Sequence, residues 1–145
     1  MKTKYYIIIM IVVIVGCKND DFDREFNSTY PVAGEWYVSE YYDGGFVYGP
    51  YHLQIFNTSF SKDSIWISNI YDSGIKLRAK VNADKTFGVT KSADIEEHVS
   101  AGTISGGKII DTDSIYFEVI LLDEDDEVID EFFTAGRRWT GLEEE

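Results

Sequence analysis

The sequence predicts an all-β protein, folded as an antiparallel up-and-down barrel of about eight strands. Three observations predict it. Apolar residues recur at every second position through most of the chain from Gly34 to Ala135, the spacing of a strand with one buried and one wet face. These segments are rich in β-branched and aromatic residues, and the full chain carries nine Phe, ten Tyr and three Trp against two Pro. No convincing helical period runs over about twelve residues, whereas turn-forming clusters recur at hairpin spacing. Strands joined in sequence by hairpins can close on themselves and so lose their edges. A two-sheet sandwich is the alternative that the same strands allow; the sequential connections favour the barrel.

Gly34 to Tyr42 is the first strand, with Trp36, Val38 and Glu40 on one face and Tyr37, Ser39 and Tyr41 on the other. Asp43-Gly44-Gly45 ends it, and Gly49-Pro50 reads as a second turn. Tyr51 to Phe56 alternates Tyr51, Leu53 and Ile55 against His52, Gln54 and Phe56. Ser64 to Asn69 sets Ile65 and Ile67 against Trp66 and Ser68. The cleanest strand is Ile75 to Asn82, where Ile75, Leu77, Ala79 and Val81 oppose Lys76, Arg78, Lys80 and Asn82. Thr86 to Thr90 returns with Phe87 and Val89 on one face, and Ser92 to Glu97 is a loop or a ragged strand start. Val99 to Ser105 and Lys108 to Asp111 flank Gly106-Gly107, which reads as a two-residue hairpin turn. Asp113 to Leu122 and Glu127 to Ala135 are the last two strands, joined across Asp123-Glu124-Asp125-Asp126; Gly136-Arg137-Arg138-Trp139 follows, and Leu142 to Glu145 is an acidic tail.

The N-terminus is organised differently. Lys2 and Lys4 precede an unbroken apolar run from Tyr5 to Val15, and Gly16 supplies the small residue of a cleavage site. As a helix this run reaches only about 16 Å, too short for a hydrocarbon core of roughly 30 Å. Ile14-Val15-Gly16-Cys17 resembles the lipobox of bacterial lipoproteins, which implies acylation of the Cys17 thiol and cleavage before it. Several acyl chains on one residue give stable anchoring, at about 0.8 kcal/mol per buried CH₂. Cys17 is the single cysteine, so it has no disulfide partner within the chain. Lys18-Asn19-Asp20-Asp21 resembles the surface-export signal of lipoproteins from the Bacteroidetes group. The division expected is a signal peptide at 1–16, an acidic tether at 17–30 after a lipidated cysteine, and a barrel domain at 31–145. The expected location is the outer membrane, lipid-anchored, with the cell surface as one of its two faces.

Removing residues 1–16 takes away two lysines and no acid, leaving 11 basic and 26 acidic side chains and a net charge of −15. Such a surface repels phosphate backbones, and no Lys/Arg cluster in the sequence offsets it, so nucleic acid is excluded as a partner.

Gly34-Glu35-Trp36 is a G-x-W on the first strand, as in lipocalins and other calycins. Arg137 and Arg138 stand where calycins carry an arginine packed over that tryptophan, so Gly34, Trp36, Arg137 and Arg138 are the candidate barrel plug. Longer strings are more specific. Residues 31–38 (PVAGEWYV), 53–58 (LQIFNT), 80–87 (KVNADKTF) and 103–109 (TISGGKI) resemble the Bacteroidetes lipoprotein family of lipid-binding putative hydrolases, from residue 31 to about 142. The resemblance implies a calycin/lipocalin-like β-barrel and a lipid or small hydrophobic ligand. It brings no catalytic motif to carry over. The charged last hairpin, Asp123 to Glu127, departs from the typical pattern.

Leu53, Ile55, Leu77, Ala79, Phe117 and Val119 are the candidate interior residues, either a packed core or the lining of a ligand cavity. The chain's two histidines, His52 and His98, lie far apart in sequence, and no serine sits in a G-x-S-x-G elbow; no catalytic residue is assigned. Zinc-type cysteine and histidine pairs are missing, and Asp123 to Glu127 lacks the spacing of a calcium loop, so no metal or cofactor is expected. Binding of a lipid-like ligand is the primary expectation. An esterase-like hydrolase is the alternative, as is an accessory module that meets glycan or protein through Tyr41-Tyr42 and Phe46-Val47-Tyr48.

Overall fold

The computed structural model describes residues 28–43 and 45–141. Cys17, the apolar leader, the acidic tether up to residue 27 and the tail from Leu142 lie outside the described residues. Eight strands follow one another: β1 (Gly34–Tyr42), β2 (Gly45–Asn57), β3 (Ser64–Ile70), β4 (Ile75–Val81), β5 (Phe87–Ala93), β6 (Ala101–Ile110), β7 (Ser114–Leu122) and β8 (Val128–Arg138). Each is antiparallel to the next, and β8 returns to pair with β1, so the sheet is a closed up-and-down barrel.

Two expected turns are bulges instead. Gly49-Pro50 lies within β2: Val38 pairs with Tyr51 and Glu40 with Tyr48, so β2 advances three residues while β1 advances two. The extra residue is accommodated where Gly49 has φ +122 and approaches β1 so closely that a Cβ would sit 2.8 Å from Ser39 Cα. Gly106-Gly107 likewise lies within β6, where Ser105 pairs with Glu118 and Lys108 with Tyr116. A Cβ on Gly107 would meet the Phe87 carbonyl oxygen at 2.4 Å, so only glycine fits. The real turn after β6 comes at Asp111 and Thr112, both at positive φ. The last strand also runs further than the alternation suggests and takes in Gly136, Arg137 and Arg138.

Up-and-down connectivity puts alternate loops at opposite ends. The start of β1, the end of β8 and the loops 58–63, 82–86 and 111–113 share one end, here the closed end. Asp43 and the turns 71–74, 94–100 and 123–127 share the other, here the far end. Between them the inward residues form one apolar column that includes Val38, Leu53, Ile65, Ile67, Leu77 and Phe117, each without exposed surface.

The closed end is built around Trp36, which is fully buried and donates its indole N–H to the Val32 carbonyl at 3.0 Å. The Arg138 guanidinium lies over the indole, Cζ 4.3 Å from the ring centroid. It donates through Nη1 to the Ala33 carbonyl at 3.2 Å and through Nη2 to that of Pro31. Gly34 has room for neither a side chain nor an ordinary φ: a Cβ would approach Arg138 Nη1 to 2.3 Å and φ is +147. Thr29 is buried beside this plug, and Lys85 Nζ donates to the Ser28 carbonyl at 2.7 Å, tying the segment before β1 to the β4–β5 loop.

Arg138, not Arg137, carries the stack; Arg137 pairs across from Tyr37 and points outward. Trp36→Ala is expected to lower the unfolding free energy by about 3–5 kcal/mol. Arg138→Ala should remove about 1–3 kcal/mol through the stack and its two carbonyl bonds, with little recovery in Arg138→Lys, while Arg137→Ala stays near wild type. Chemical denaturation of the four variants checks this; equal losses at the two arginines would sink the assignment.

Candidate functional site

The six candidate interior residues all point inward and pack into one cluster. Leu53, Leu77, Phe117 and Val119 are wholly inaccessible to water, and Ile55 and Ala79 are nearly so. No water-sized void therefore adjoins the first four, and the middle of the barrel is filled by side chains.

The far end holds the polar exception. Glu40 continues the inward series Trp36, Val38, Glu40 on β1, and it has no exposed surface. Thr134, its cross-strand neighbour on β8, donates its hydroxyl to Glu40 Oε2 at 2.6 Å. Tyr51 on β2 donates its hydroxyl to Oε1, and the same phenolic oxygen accepts the Tyr71 backbone N–H at 2.8 Å. The bulge at Gly49-Pro50 sets this geometry, because it lets both Tyr48 and Tyr51 approach the same part of β1.

Burial dominates the ionisation of this cluster. Loss of water pushes the Glu40 carboxyl up from 4.5 to about 7, against the opposing bonds from Thr134 and Tyr51. Burial, then the charge and hydrogen bond of Glu40, hold the Tyr51 phenol well above its ordinary value. Tyr42 is raised in the same way by burial and by donating to Asp130 Oδ2.

Aromatic rings close this end. Phe132 meets Tyr71 at 5.1 Å and Tyr42 at 6.1 Å between centroids, and Tyr48 stacks on Tyr71 at 5.6 Å. The Tyr48 hydroxyl donates to Asp72 at 3.0 Å. Of the expected aromatic rim, Tyr42 and Tyr48 belong to this lid. Tyr41 instead stacks outside the wall on Phe133 at 5.3 Å, beside an exposed Phe46.

The histidines are separate from this cluster and from each other. His52 is on the outer face of β2, packed against Tyr37 at 5.1 Å and Trp139 at 4.9 Å. His98 lies in the loop between β5 and β6, its Nδ1 3.6 Å from Asp94 Oδ2. Asp94 is chiefly a loop organiser. Burial works against its charge, but backbone N–H groups of Lys76, Glu96, His98 and Val99 donate to it and hold its pKa below the ordinary range. Among the described residues no serine or threonine hydroxyl bonds to either histidine. Asp123 to Glu127 forms a hairpin tip, in which Asp123 Oδ1 accepts the backbone N–H groups of Asp125 and Glu127, each at 2.9 Å.

Glu40, Tyr51, Thr134 and Tyr71 form the unit that sequence reasoning missed. Alternation places Glu40 inward, but its partners come from three other parts of the chain. Because its folded-state pKa is raised, stability from this site is complete below pH 4.5 and is lost as pH rises through about 7. The change amounts to roughly 3 kcal/mol. Glu40→Gln should remove that dependence, so the variant gains on wild type between pH 5 and 8, where unfolding free energies of the two are compared. A constant difference across that range would mean that Glu40 does not titrate there.

The family described as lipid-binding putative hydrolase matches residues 21–143, and the chain belongs to that family. No curated protein and no solved structure matches the chain.

Proposed function

We propose that this member of the lipid-binding family is a cell-envelope lipoprotein that binds a small hydrophobic or lipid-like ligand in its barrel, entering at the far end. The observation that carries the reading is the difference between the two ends. The closed end is fixed by a guanidinium that binds two backbone carbonyls and covers a buried indole. The far end is covered by the rings of Tyr42, Tyr48 and Phe132, on β1, β2 and β8, and of Tyr71, on the turn after β3. Tyr71 sits on a turn, so its ring can swing aside without breaking the strand ladder, whereas Arg138 leaves the indole only by giving up its bonds to two carbonyls.

Below the lid lie Glu40 and Thr134, and below them the apolar column that includes Leu53, Leu77, Phe117 and Val119. Because the middle of the barrel is filled, a ligand entering there displaces rings and has to part the aliphatic side chains beneath them to seat its apolar part. Its head meets a carboxyl and two hydroxyls, a set suited to a neutral polar group such as an ester or alcohol. A carboxylate head is disfavoured there by like charge once Glu40 ionises.

The envelope location rests on Cys17 and the apolar run before it, with the anchor in the outer membrane and the domain on its periplasmic or outer face. Expression in a host with lipoprotein processing tests both parts. The full chain should incorporate labelled palmitate and sediment with membranes, and Cys17→Ser should do neither. After gentle extraction, native mass spectrometry should show one added lipid per chain, and Tyr71→Ala should speed its exchange. Membrane retention of Cys17→Ser would overturn the anchor; a bare mass after incubation with lipids would overturn the barrel ligand.

A further inference from the structure

The barrel wall has a seam between β4 and β5. Their strand register comprises Lys80 with Gly88 and Val81 with Phe87. Further along, side chains bridge the two strands: Ser92 Oγ accepts the Arg78 N–H at 2.9 Å and Asp94 Oδ1 accepts that of Lys76 at 2.9 Å. Strand β5 is also distorted on its other side, with register shifts against β6 on both sides of Val89. Two strands held apart by inserted side chains leave space on the outer face. That space is a groove of about 300 Å³ whose lining includes Phe60, Trp66, Arg78, Val89, Lys91 and Ile95.

Its chemistry is amphipathic. Phe60 is 70% exposed and Ile95 49%, although both are large and apolar. They project from loops at opposite ends of the barrel, so the apolar surface follows the length of the strands. Trp66 stands edge-on to Phe60 at 6.4 Å, and the half-buried Val89 touches the core and also lines the groove. The volume is at the low end for small-molecule sites, suited to one chain rather than two.

Arg78 supplies the polar end. Its Cζ lies 4.9 Å from the Phe60 ring centroid. Its neighbours are neutralised, Lys76 by Glu96 at 3.7 Å, Lys80 by Asp63 at 3.4 Å and Lys91 by Asp126. Among the described residues Arg78 has no carboxylate within ion-pair distance. In a chain of net charge −13, an unneutralised guanidinium beside an exposed apolar groove is complementary to an anion with a hydrocarbon tail. Its planar fork fits a carboxylate through two parallel hydrogen bonds.

We propose that this groove on β3, β4 and β5 binds a single-chain carboxylate amphiphile, a free fatty acid, with its head on Arg78 and its chain between Phe60, Trp66, Val89 and Ile95. The site goes beyond the barrel ligand, since it needs no opening of the interior and selects the head group that Glu40 disfavours.

Photolabelling of the full chain with a palmitate analogue bearing a diazirine in its tail tests this, followed by peptide mapping. Label should fall on the segments carrying Phe60–Trp66 and Val89–Ile95. Excess oleate should compete it away at least tenfold better than oleyl alcohol. Arg78→Gln should reduce labelling about tenfold, with Arg78→Lys recovering part, both at an unchanged melting temperature because Arg78 is exposed. Ile95→Glu should reduce labelling independently of Arg78. No label in the groove, equal competition by oleyl alcohol, or full labelling of Arg78→Gln would overturn the proposal. Label confined to Tyr42, Tyr48, Tyr71 and Phe132 would overturn it while leaving the barrel reading intact.

Discussion

The contact between Arg138 and Trp36 joins the last strand to the first, and the closed barrel depends on it. A sheet of eight strands has two edges unless its ends meet, and unpaired edges invite association with other chains. Here the ladder from Trp36–Arg138 to Tyr41–Phe133 unites them. The stack adds what the ladder lacks, a cover for the column's end. Only a long, planar, permanently charged side chain can lie on the indole and also reach two carbonyls beyond it. Close approach is the second requirement. A Cβ on Gly136 would come within 2.2 Å of the Tyr37 carbonyl oxygen, so β8 approaches β1 there only because that position has no side chain.

Closure makes every local irregularity a matter for the whole wall. A residue added to one strand of a closed sheet cannot be passed to a free edge, so it must appear as a bulge, and each bulge re-aims the side chains beside it. The bulge at Gly49-Pro50 brings Tyr48 and Tyr51 to one part of β1 and so makes the Glu40 cluster possible. The shifts around Val89 bend β5 away from β4, and Ser92 and Asp94 fill the gap with hydrogen bonds. The two polar departures from an otherwise ordinary barrel, one at its mouth and one on its wall, thus share an origin in backbone register.

This also explains what could be read from the sequence. Alternation is a local property, and it correctly places inward Leu53, Ile55, Leu77, Ala79, Phe117 and Val119. The plug is legible through the resemblance of Gly34-Glu35-Trp36 and Arg137-Arg138 to calycins, and of the two arginines only Arg138 stacks on the indole. Gly49-Pro50 and Gly106-Gly107 are misread as turns because the same residues serve turns and bulges; only the partner strand, which sequence spacing does not reveal, distinguishes them. Arg78 looks like any outward cation of β4. Among the described residues it has no acid beside it, because Glu96, Asp63 and Asp126 turn to Lys76, Lys80 and Lys91.

The mouth cluster poses the harder energetic question, since an ionised carboxyl buried there works against folding at neutral pH. The three groups satisfy one another: Tyr51 and Thr134 each donate to a different oxygen of Glu40, and Tyr51 also accepts from the turn at Tyr71. Replacing Glu40 alone by an apolar residue would leave two buried hydroxyls without their acceptor, at about 1–3 kcal/mol each. That offsets much or all of the roughly 3 kcal/mol relieved by removing the charge. The carboxyl is therefore held in place by the company it keeps, and the set can be exchanged only as a whole.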